Sequence, residues 1–294
     1  MSTDGSLSTQ EITLALRDSM ESVRKVCGHE SASHAFASLF LWQRDMGLSV
    51  CLRENAFAVR CGHRGEGAWF FPCGEETEAV RFVRDILDVC PHARFLYLRR
   101  ADAELLEKHF PGRFSIERAD GASEYLFDRD EYVDLPGEKN RSIRWSINRL
   151  INHHDLRTEL IDPSVTEDVR AVLSAWKPSN ADQNYSYDHS TASLLLENYS
   201  ALDVTGVIVY MDGSPAAAAI GFPLSERSFD IAFSKAPVRA TGLLHYSRRQ
   251  LVHMLPDRYT VINGEEDLGL PGLRKAKTLE HPVGMIDMFE AYAY

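Results

Sequence analysis

The chain has 294 residues, 44% hydrophobic and 26% charged, with a formal net charge of −11. Two domains of roughly 150 residues are expected from that length, and the composition excludes disorder as the main state. The acidic balance excludes broad nonspecific binding to nucleic acid, and no apolar run reaches the ~18 residues of a membrane span.

The opening MSTDGSLSTQ lacks the basic and apolar regions of a signal peptide, so a cytoplasmic protein without stable membrane insertion is expected. Cys27, Cys51, Cys61, Cys73 and Cys90 form an odd set without CxxC spacing; buried free thiols are expected, not a zinc site or disulfide framework. Ser8 to Glu11 has the spacing of a capping box, and Ile12, Leu16, Met20, Val23 and Cys27 recur at helical intervals after it. LSVCLRENAFAVRC reads as two strands joined at Glu54-Asn55. From Glu75 an amphipathic helix runs through Ala79, Phe82, Val83, Ile86, Leu87 and Cys90 until Pro91 stops it. RFLYLR is a strand, ADAELLEKHF a short helix, and FSIE and EYLF two more strands. This half shows no nucleophile motif, phosphate loop or metal spacing, and His29, His34, His63 and His92 read as structural or surface residues. The apolar pattern breaks at DRDEYVDLPGEKN, which divides the chain into domains 1–135 and 136–294.

The second half opens with a basic helix, EKNRSIRWSINRLINHH. At 100° per residue Ile143, Ile147, Leu150 and Ile151 share one face, while Arg141, Arg144, Trp145, Asn148 and Asn152 gather opposite. That second face is either a wet surface or a site for an anion or a stacked base. A strand (Thr158–Ile161) and a helix with a second capping-box spacing, Ser164 to Glu167, follow; Val169, Val172, Leu173 and Trp176 form its apolar side. KPSNADQNYSYDHS is a polar loop, and TASLLLENY a helix. VTGVIVYMDGSPAAAAIGF is a hairpin turning at Asp212-Gly213, SFDIAFSKAP the next strand, VRATGLLHYSRRQLVHML a loop running into a helix, and RYTVING a closing strand.

Strand, helices, three meandering strands, loop-helix, strand is the order of the GNAT acyltransferase fold. In that fold the loop before the helix binds a pyrophosphate through main-chain N–H groups at the helix N-terminus. Its pattern is Arg or Gln, two residues, Gly, one residue, then Gly or Ala. Arg239-Ala240-Thr241-Gly242-Leu243-Leu244 matches at the first two anchors and departs at Leu244; the competing reading is a strand-to-helix turn capped by Thr241.

In SHAFASLFLW, FFPCG, KNRSIRWSINRL and above all INGEEDLGLPGLRKAKTLEHPV, the chain resembles the family containing the C-terminal domain of phosphatidylglycerol lysyltransferases and its stand-alone relatives. The resemblance spans nearly the whole chain. It implies a mixed α/β protein of two GNAT-like domains in tandem, the second carrying the transfer cleft. In the lipid-modifying members a lysyl group passes from aminoacyl-tRNA to a phosphatidylglycerol hydroxyl. Those members carry an attached transmembrane region, and the lack of such a span here weighs against a lipid acceptor.

Such transfer needs a held acyl donor, a deprotonated acceptor and stabilisation of a tetrahedral oxyanion. Glu266 or Asp267 can take the acceptor's proton or bind a cationic aminoacyl group. Arg274, Lys275 and Lys277 can hold a phosphate or carboxylate, joined by Arg141 and Arg144, with Trp145 and Asn148 on the same helix face. Tyr246 and His245 can protonate the leaving group. The competing reading pairs the acids internally with these bases and packs the helix residues away. No metal and no tightly bound cofactor are expected. The donor is acyl-CoA, as co-substrate, or aminoacyl-tRNA, and the acceptor is a small molecule, peptide or lipid bearing an amine or hydroxyl. The alternative is a non-catalytic GNAT-fold module that binds a CoA-like or nucleotide-like ligand, for which Leu244 is the main support.

Overall fold

The structure, a computed structural model, describes residues 7–175, 187–238 and 240–294. Trp176, most of the polar loop KPSNADQNYSYDHS and Arg239 lie outside the described residues.

Residues 8–12 do not begin a helix. Gln10 exchanges two main-chain hydrogen bonds with Val50 (2.9 and 2.8 Å), so the Ser8–Glu11 spacing falls in extended chain and Ile12 is fully buried. A 3-10 turn then leads into α1 (Arg17–Val26), followed by the apolar α2 (Phe36–Met46), which Gly47 ends in the left-handed region (φ 62°). β1 (Leu48–Arg53) and β2 (Ala56–Cys61) form the expected hairpin, paired from Leu48–Cys61 to Arg53–Ala56. Next come β3 (Ala68–Phe70), β4 (Cys73–Gly74) and α3 (Glu76–Val89), whose Ala79, Phe82, Val83 and Ile86 are buried as the periodicity predicts. β5 (Arg94–Arg99), α4 (Arg100–His109), β6 (Phe114–Arg118), β7 (Glu124–Asp128) and α5 (Arg129–Asp134) follow.

The basic helix is α6 (Arg141–His153); it buries Ile143, Ile147 and Leu150, but Ile151 is exposed. β8 (Leu156–Leu160) precedes α7 (Thr166–Ala175) and α8 (Tyr187–Glu197). Ser164 does not act as half of a capping box: its N–H and Oγ–H both donate to Asp162 Oδ1 (2.7 and 2.5 Å) in a turn ahead of α7. β9 (Thr205–Met211) and β10 (Ser214–Pro223) meet at Asp212-Gly213, both with positive φ (53° and 81°) as a two-residue hairpin requires. β11 (Ser228–Lys235), α9 (Leu243–Met254) and β12 (Val261–Asn263) complete the expected run. The terminal stretch INGEEDLGLPGLRKAKTLEHPV contains α10 (Pro271–Leu279), with proline at its first position where a missing N–H costs nothing. β13 (Gly284–Ile286) and β14 (Met288–Ala293) end the chain.

Among the described residues the strands form two seven-stranded sheets. One runs β1-β2-β3-β5-β14-β6, with β4 on β2; the other runs β13-β7-β12-β11-β10-β9-β8. In the second, β9 to β11 form an antiparallel meander and α9 crosses to β12, parallel to β11. The first repeats this scheme: β1 to β3 are antiparallel and α3 crosses to β5, parallel to β3. The chain is therefore two GNAT-like domains in tandem.

Two compact units result, Met1–Glu124 with Glu266–Leu270 and Ile286–Tyr294, and Tyr125–Glu265 with Pro271–Met285. This differs from the 135/136 division. Pro136-Gly137 interrupts a local pattern, whereas sheet pairing assigns a strand to a unit, and β14 lies between β5 and β6 in the first sheet. Among the described residues, no helix is long and apolar enough to cross a membrane, and no group of three or more His, Cys, Asp or Glu is placed to hold a metal ion.

Candidate active site

In the second unit a cleft with about 410 Å³ of empty space, its open mouth included, is lined by Tyr132, Asn140, Ile143, His245, Arg249 and Glu280, among others. Its apolar wall comes from α5 and α6. Its polar wall comes from α9, where His245, Arg248 and Arg249 stand three and four residues apart and so share one face. Leu243, Leu251 and Val252 are fully buried and fix the helix in the core.

Glu280 joins these groups. It follows α10, whose buried Lys277 donates from Nζ to the Gly264 carbonyl and lies 5.8 Å from the Tyr125 ring centre, tethering the helix. Oε1 of Glu280 accepts from Arg248 Nη1 at 2.8 Å and lies 3.1 Å from His245 Nδ1; Oε2 accepts from the Tyr132 hydroxyl at 3.3 Å. Burial pushes the Glu280 carboxyl up, but the Arg248 guanidinium, His245 and Tyr132 outweigh it, and the group ionises below its ordinary range. Burial drives the Tyr132 phenol well up, with Arg248 opposing and Glu280 reinforcing, so it remains a donor. Glu280 is 5% exposed and His245 32%. A buried carboxylate on Nδ1 selects the tautomer with its proton there and leaves the lone pair on Nε2, the arrangement of a general base.

The presumed pyrophosphate loop is built differently from its sequence reading. Gly242 caps α9 at φ 92°, and a Cβ there would stand 2.6 Å from the Ser146 carbonyl oxygen and 3.0 Å from the Ile147 nitrogen. The close approach that demands glycine is thus made by the α6 backbone. Ala240 is half-buried and Thr241 exposed; Leu243 is in the core, and Leu244 is 39% exposed on the first turn. Tyr246 is buried in an apolar cluster with Leu135, Ile143, Ile147 and Leu150.

The α6 surface divides likewise. Arg144 donates to the Leu135 carbonyl and to that of Gly137 (2.6 Å), holding the turn before the helix. Arg141 is exposed, 3.6 Å from Glu138; Trp145 is 59% exposed with the Arg149 guanidinium 5.4 Å from its ring centre; Asn148 is exposed. Arg274 and Lys275 are exposed on α10, whereas Lys277 is the buried tether described above.

Glu266 and Asp267 belong to the first unit. Asp267 is fully buried; its Oδ1 accepts from the Gly269 N–H (2.8 Å) and its carbonyl from the Leu270 N–H (2.9 Å), fixing a turn in which Leu268 has φ 54° and Gly269 φ 71°. A Cβ on Gly121 would stand 2.7 Å from the Gly269 nitrogen, so the turn packs on bare backbone. Glu266 is half-buried near Tyr97, whose phenol is pushed well up by burial first and by the Glu266 charge second. Tyr97 has φ 55°, an unfavourable conformation for a bulky side chain.

The sequence reading named His245 only as a companion to Tyr246, and missed Glu280 and Arg248. The available signal was the i, i+3, i+4 run of His245, Arg248 and Arg249 on the crossover helix, followed by a lone Glu280-His281 pair after the terminal basic stretch.

The family model for phosphatidylglycerol lysyltransferase, C-terminal, matches residues 24–292. The fold is similar to that of a conserved protein of unknown function from Bacteroides thetaiotaomicron VPI-5482 (TM-score 0.90, 23% identity, covering 98% of this chain and 100% of that one). It is similar to the C-terminal domain of a putative lysylphosphatidylglycerol synthetase from Agrobacterium fabrum (0.64, 16%, 95% and 92%). It is also similar to L-PGS from Bacillus licheniformis (0.65, 16%, 94% and 91%). Among curated proteins no sequence matches.

Proposed function

The chain belongs to the phosphatidylglycerol lysyltransferase C-terminal family, and from that premise we propose that it transfers an aminoacyl group from aminoacyl-tRNA to an amine or hydroxyl acceptor, with the second-unit cleft as the site of proton transfer. The observation that carries this reading is the His245–Glu280 pair: Nδ1 and Oε1 lie 3.1 Å apart on a cleft wall, with Arg248 keeping the carboxylate charged. Nε2 of His245 takes the acceptor's proton as its nitrogen or oxygen attacks the ester carbonyl carbon. The tetrahedral oxyanion forms, the bond to the tRNA oxygen breaks, and the imidazolium returns the proton to that oxygen. Arg249, held through Nε on the Val133 carbonyl, is the cation on the same wall for the developing negative charge.

An aminoacyl donor is favoured over acyl-CoA by the surroundings of Gly242. Gly242 gives close approach to the α6 backbone, a packing reason for the glycine that needs no pyrophosphate, while Arg141, Trp145 and Asn148 form an exposed basic and aromatic face on that helix.

The test supplies purified protein with radiolabelled aminoacyl-tRNA or acetyl-CoA, together with amines, peptides and phosphatidylglycerol vesicles, and follows donor consumption. Aminoacyl-tRNA should be consumed, and His245→Gln should slow that step about 10²–10⁴-fold without lowering thermal stability. Acetyl-CoA consumed in its place would overturn the donor, and an unchanged His245→Gln rate would overturn the base. Glu266→Gln is assayed in parallel: turnover equal to wild type would remove that carboxylate from the mechanism.

A further inference from the structure

The aminoacyl-transfer reading leaves the cysteines of the first unit unused, and two of them meet. Cys27 caps the C-terminus of α1, Cys73 opens β4 immediately before α3, and their Sγ atoms are 3.4 Å apart although 46 residues separate them in sequence. A disulfide needs about 2.05 Å, so closure asks for roughly 1.3 Å of sulfur travel. Cys27 sits at the end of its helix and is followed by Gly28 at φ 61°, so the sulfur is carried by a helix terminus and not by a strand interior.

The two thiols are unlike. Cys27 is half-buried, whereas Cys73 is 1% exposed beneath it. The Cys27 thiol is brought down to about 7, first by its hydrogen bond with Cys73, against burial, and with help from the positive charge of Arg99. The same hydrogen bond, followed by burial, drives the Cys73 thiol far up. Burial also raises the thiols of Cys51 and Cys61. An accessible, readily ionised sulfur backed by a second sulfur at contact distance is the arrangement of an attacking and a resolving thiol.

We propose that Cys27 and Cys73 are a redox-active pair, in which Cys27 reacts with a hydroperoxide and Cys73 resolves the product to a reversible disulfide. In the first step the Cys27 thiolate attacks one oxygen of hydrogen peroxide. The O–O bond breaks, the second oxygen leaves and takes up a proton as water, and Cys27 becomes a sulfenic acid. In the second step Cys73 gives up its proton and attacks the Cys27 sulfur, and the displaced hydroxyl leaves with that proton as a second water. Two thiols and one peroxide give one disulfide and two waters. The bond would join the end of α1 to the turn that launches α3, the first unit's counterpart of α9.

The experiment treats the full chain with one equivalent of hydrogen peroxide, blocks remaining thiols, and maps the digest by mass spectrometry. The expected result is a Cys27–Cys73 linked peptide 2 Da lighter than its reduced parts, titration of three thiols where five stood before, and full reversal by dithiothreitol. In Cys73→Ser the reaction should stop at a sulfenic acid on Cys27 that dimedone captures. Should that variant not fold, the wild-type protein still decides: iodoacetamide at neutral pH should label Cys27 at least about tenfold faster than half-buried Cys90. Labelling of Cys27 no faster than Cys90, or a linkage that omits either Cys27 or Cys73, overturns the proposal.

Discussion

The two units share a strand–helix–strand crossover, β3–α3–β5 in one and β11–α9–β12 in the other, and both bury ion pairs, yet the imidazoles beside those pairs are placed differently. In the first unit Arg24, 1% exposed, pairs with Glu21 (2.6 Å) and donates to the His29 carbonyl (2.7 Å), and the histidines next to it are neutral. His29 and His34 stack at 4.1 Å between ring centres, His34 Nε2 donates to the Phe71 carbonyl (2.8 Å), and burial holds both imidazoles well below their ordinary range, His34 at about 4. In the second unit Arg248 and Glu280 are both buried, and His245 joins them, 32% exposed, at the edge of a cleft. Imidazoles sealed in a core support packing, whereas one paired with a carboxylate beside an opening can exchange a proton. Shared topology therefore does not make the two crossovers equivalent sites.

The largest expected effect tests the cleft-side network of the second unit. Glu280→Gln leaves the Arg248 guanidinium buried without its carboxylate, and should cost about 3–5 kcal/mol in urea unfolding as well as transfer activity. A loss near zero would mean that water screens the network, and the contrast with the first unit would fail. Acid tests the neutral histidine pair of the first unit. As pH falls below about 6.5 the unfolded chain protonates both histidines, while folded His34 does not until about 4. The native state binds fewer protons across that window, so stability should fall with pH, by roughly 3 kcal/mol from His34 alone. Calorimetry between pH 7 and 4 on wild type and His34→Gln measures it; identical slopes would show that the imidazole is charged in the fold.

The glycines that launch the two crossover helices sharpen the comparison. A Cβ at Gly242 would meet the Ser146 carbonyl oxygen at 2.6 Å, and one at Gly74 the Ala56 Cβ at 2.7 Å. Gly242→Ala should cost about 2 kcal/mol, because φ 92° adds strain to the clash, and Gly74→Ala less; transfer should suffer only in the former. The smallest expected effect is at the surface. Arg141→Ala removes an exposed pair with Glu138 and should change stability by no more than about 0.5 kcal/mol, yet weaken donor binding. Unchanged binding affinity in a titration with aminoacyl-tRNA would remove the α6 face from donor recognition.

Much of the fold was legible in advance, the site much less. The helix α3, the hairpins β1–β2 and β9–β10 and the order from β9 to β12 were read correctly, because each announces itself within one or two turns or one strand pair. The capping-box spacings misled. A Ser-x-x-Glu pattern states what two side chains can do, and at Gln10 and Ser164 other partners were nearer. The terminal stretch supplies most of the acidic and basic site candidates, yet its members part. Asp267 fixes a turn, Lys277 tethers α10, Arg274 and Lys275 are exposed, and Glu280, the residue that reaches His245, lies just beyond the cluster.

By itself the sequence determined the local elements and the two-domain plan, because periodicity and turn chemistry act between residues a few positions apart. Only the tertiary structure decided that β14 completes the first sheet and β7 enters the second, and that Arg248 and His245 share a carboxylate some thirty residues away. Those outcomes depend on which sheet edges and buried charges find each other once the crossovers have formed, and no local pattern encodes that choice.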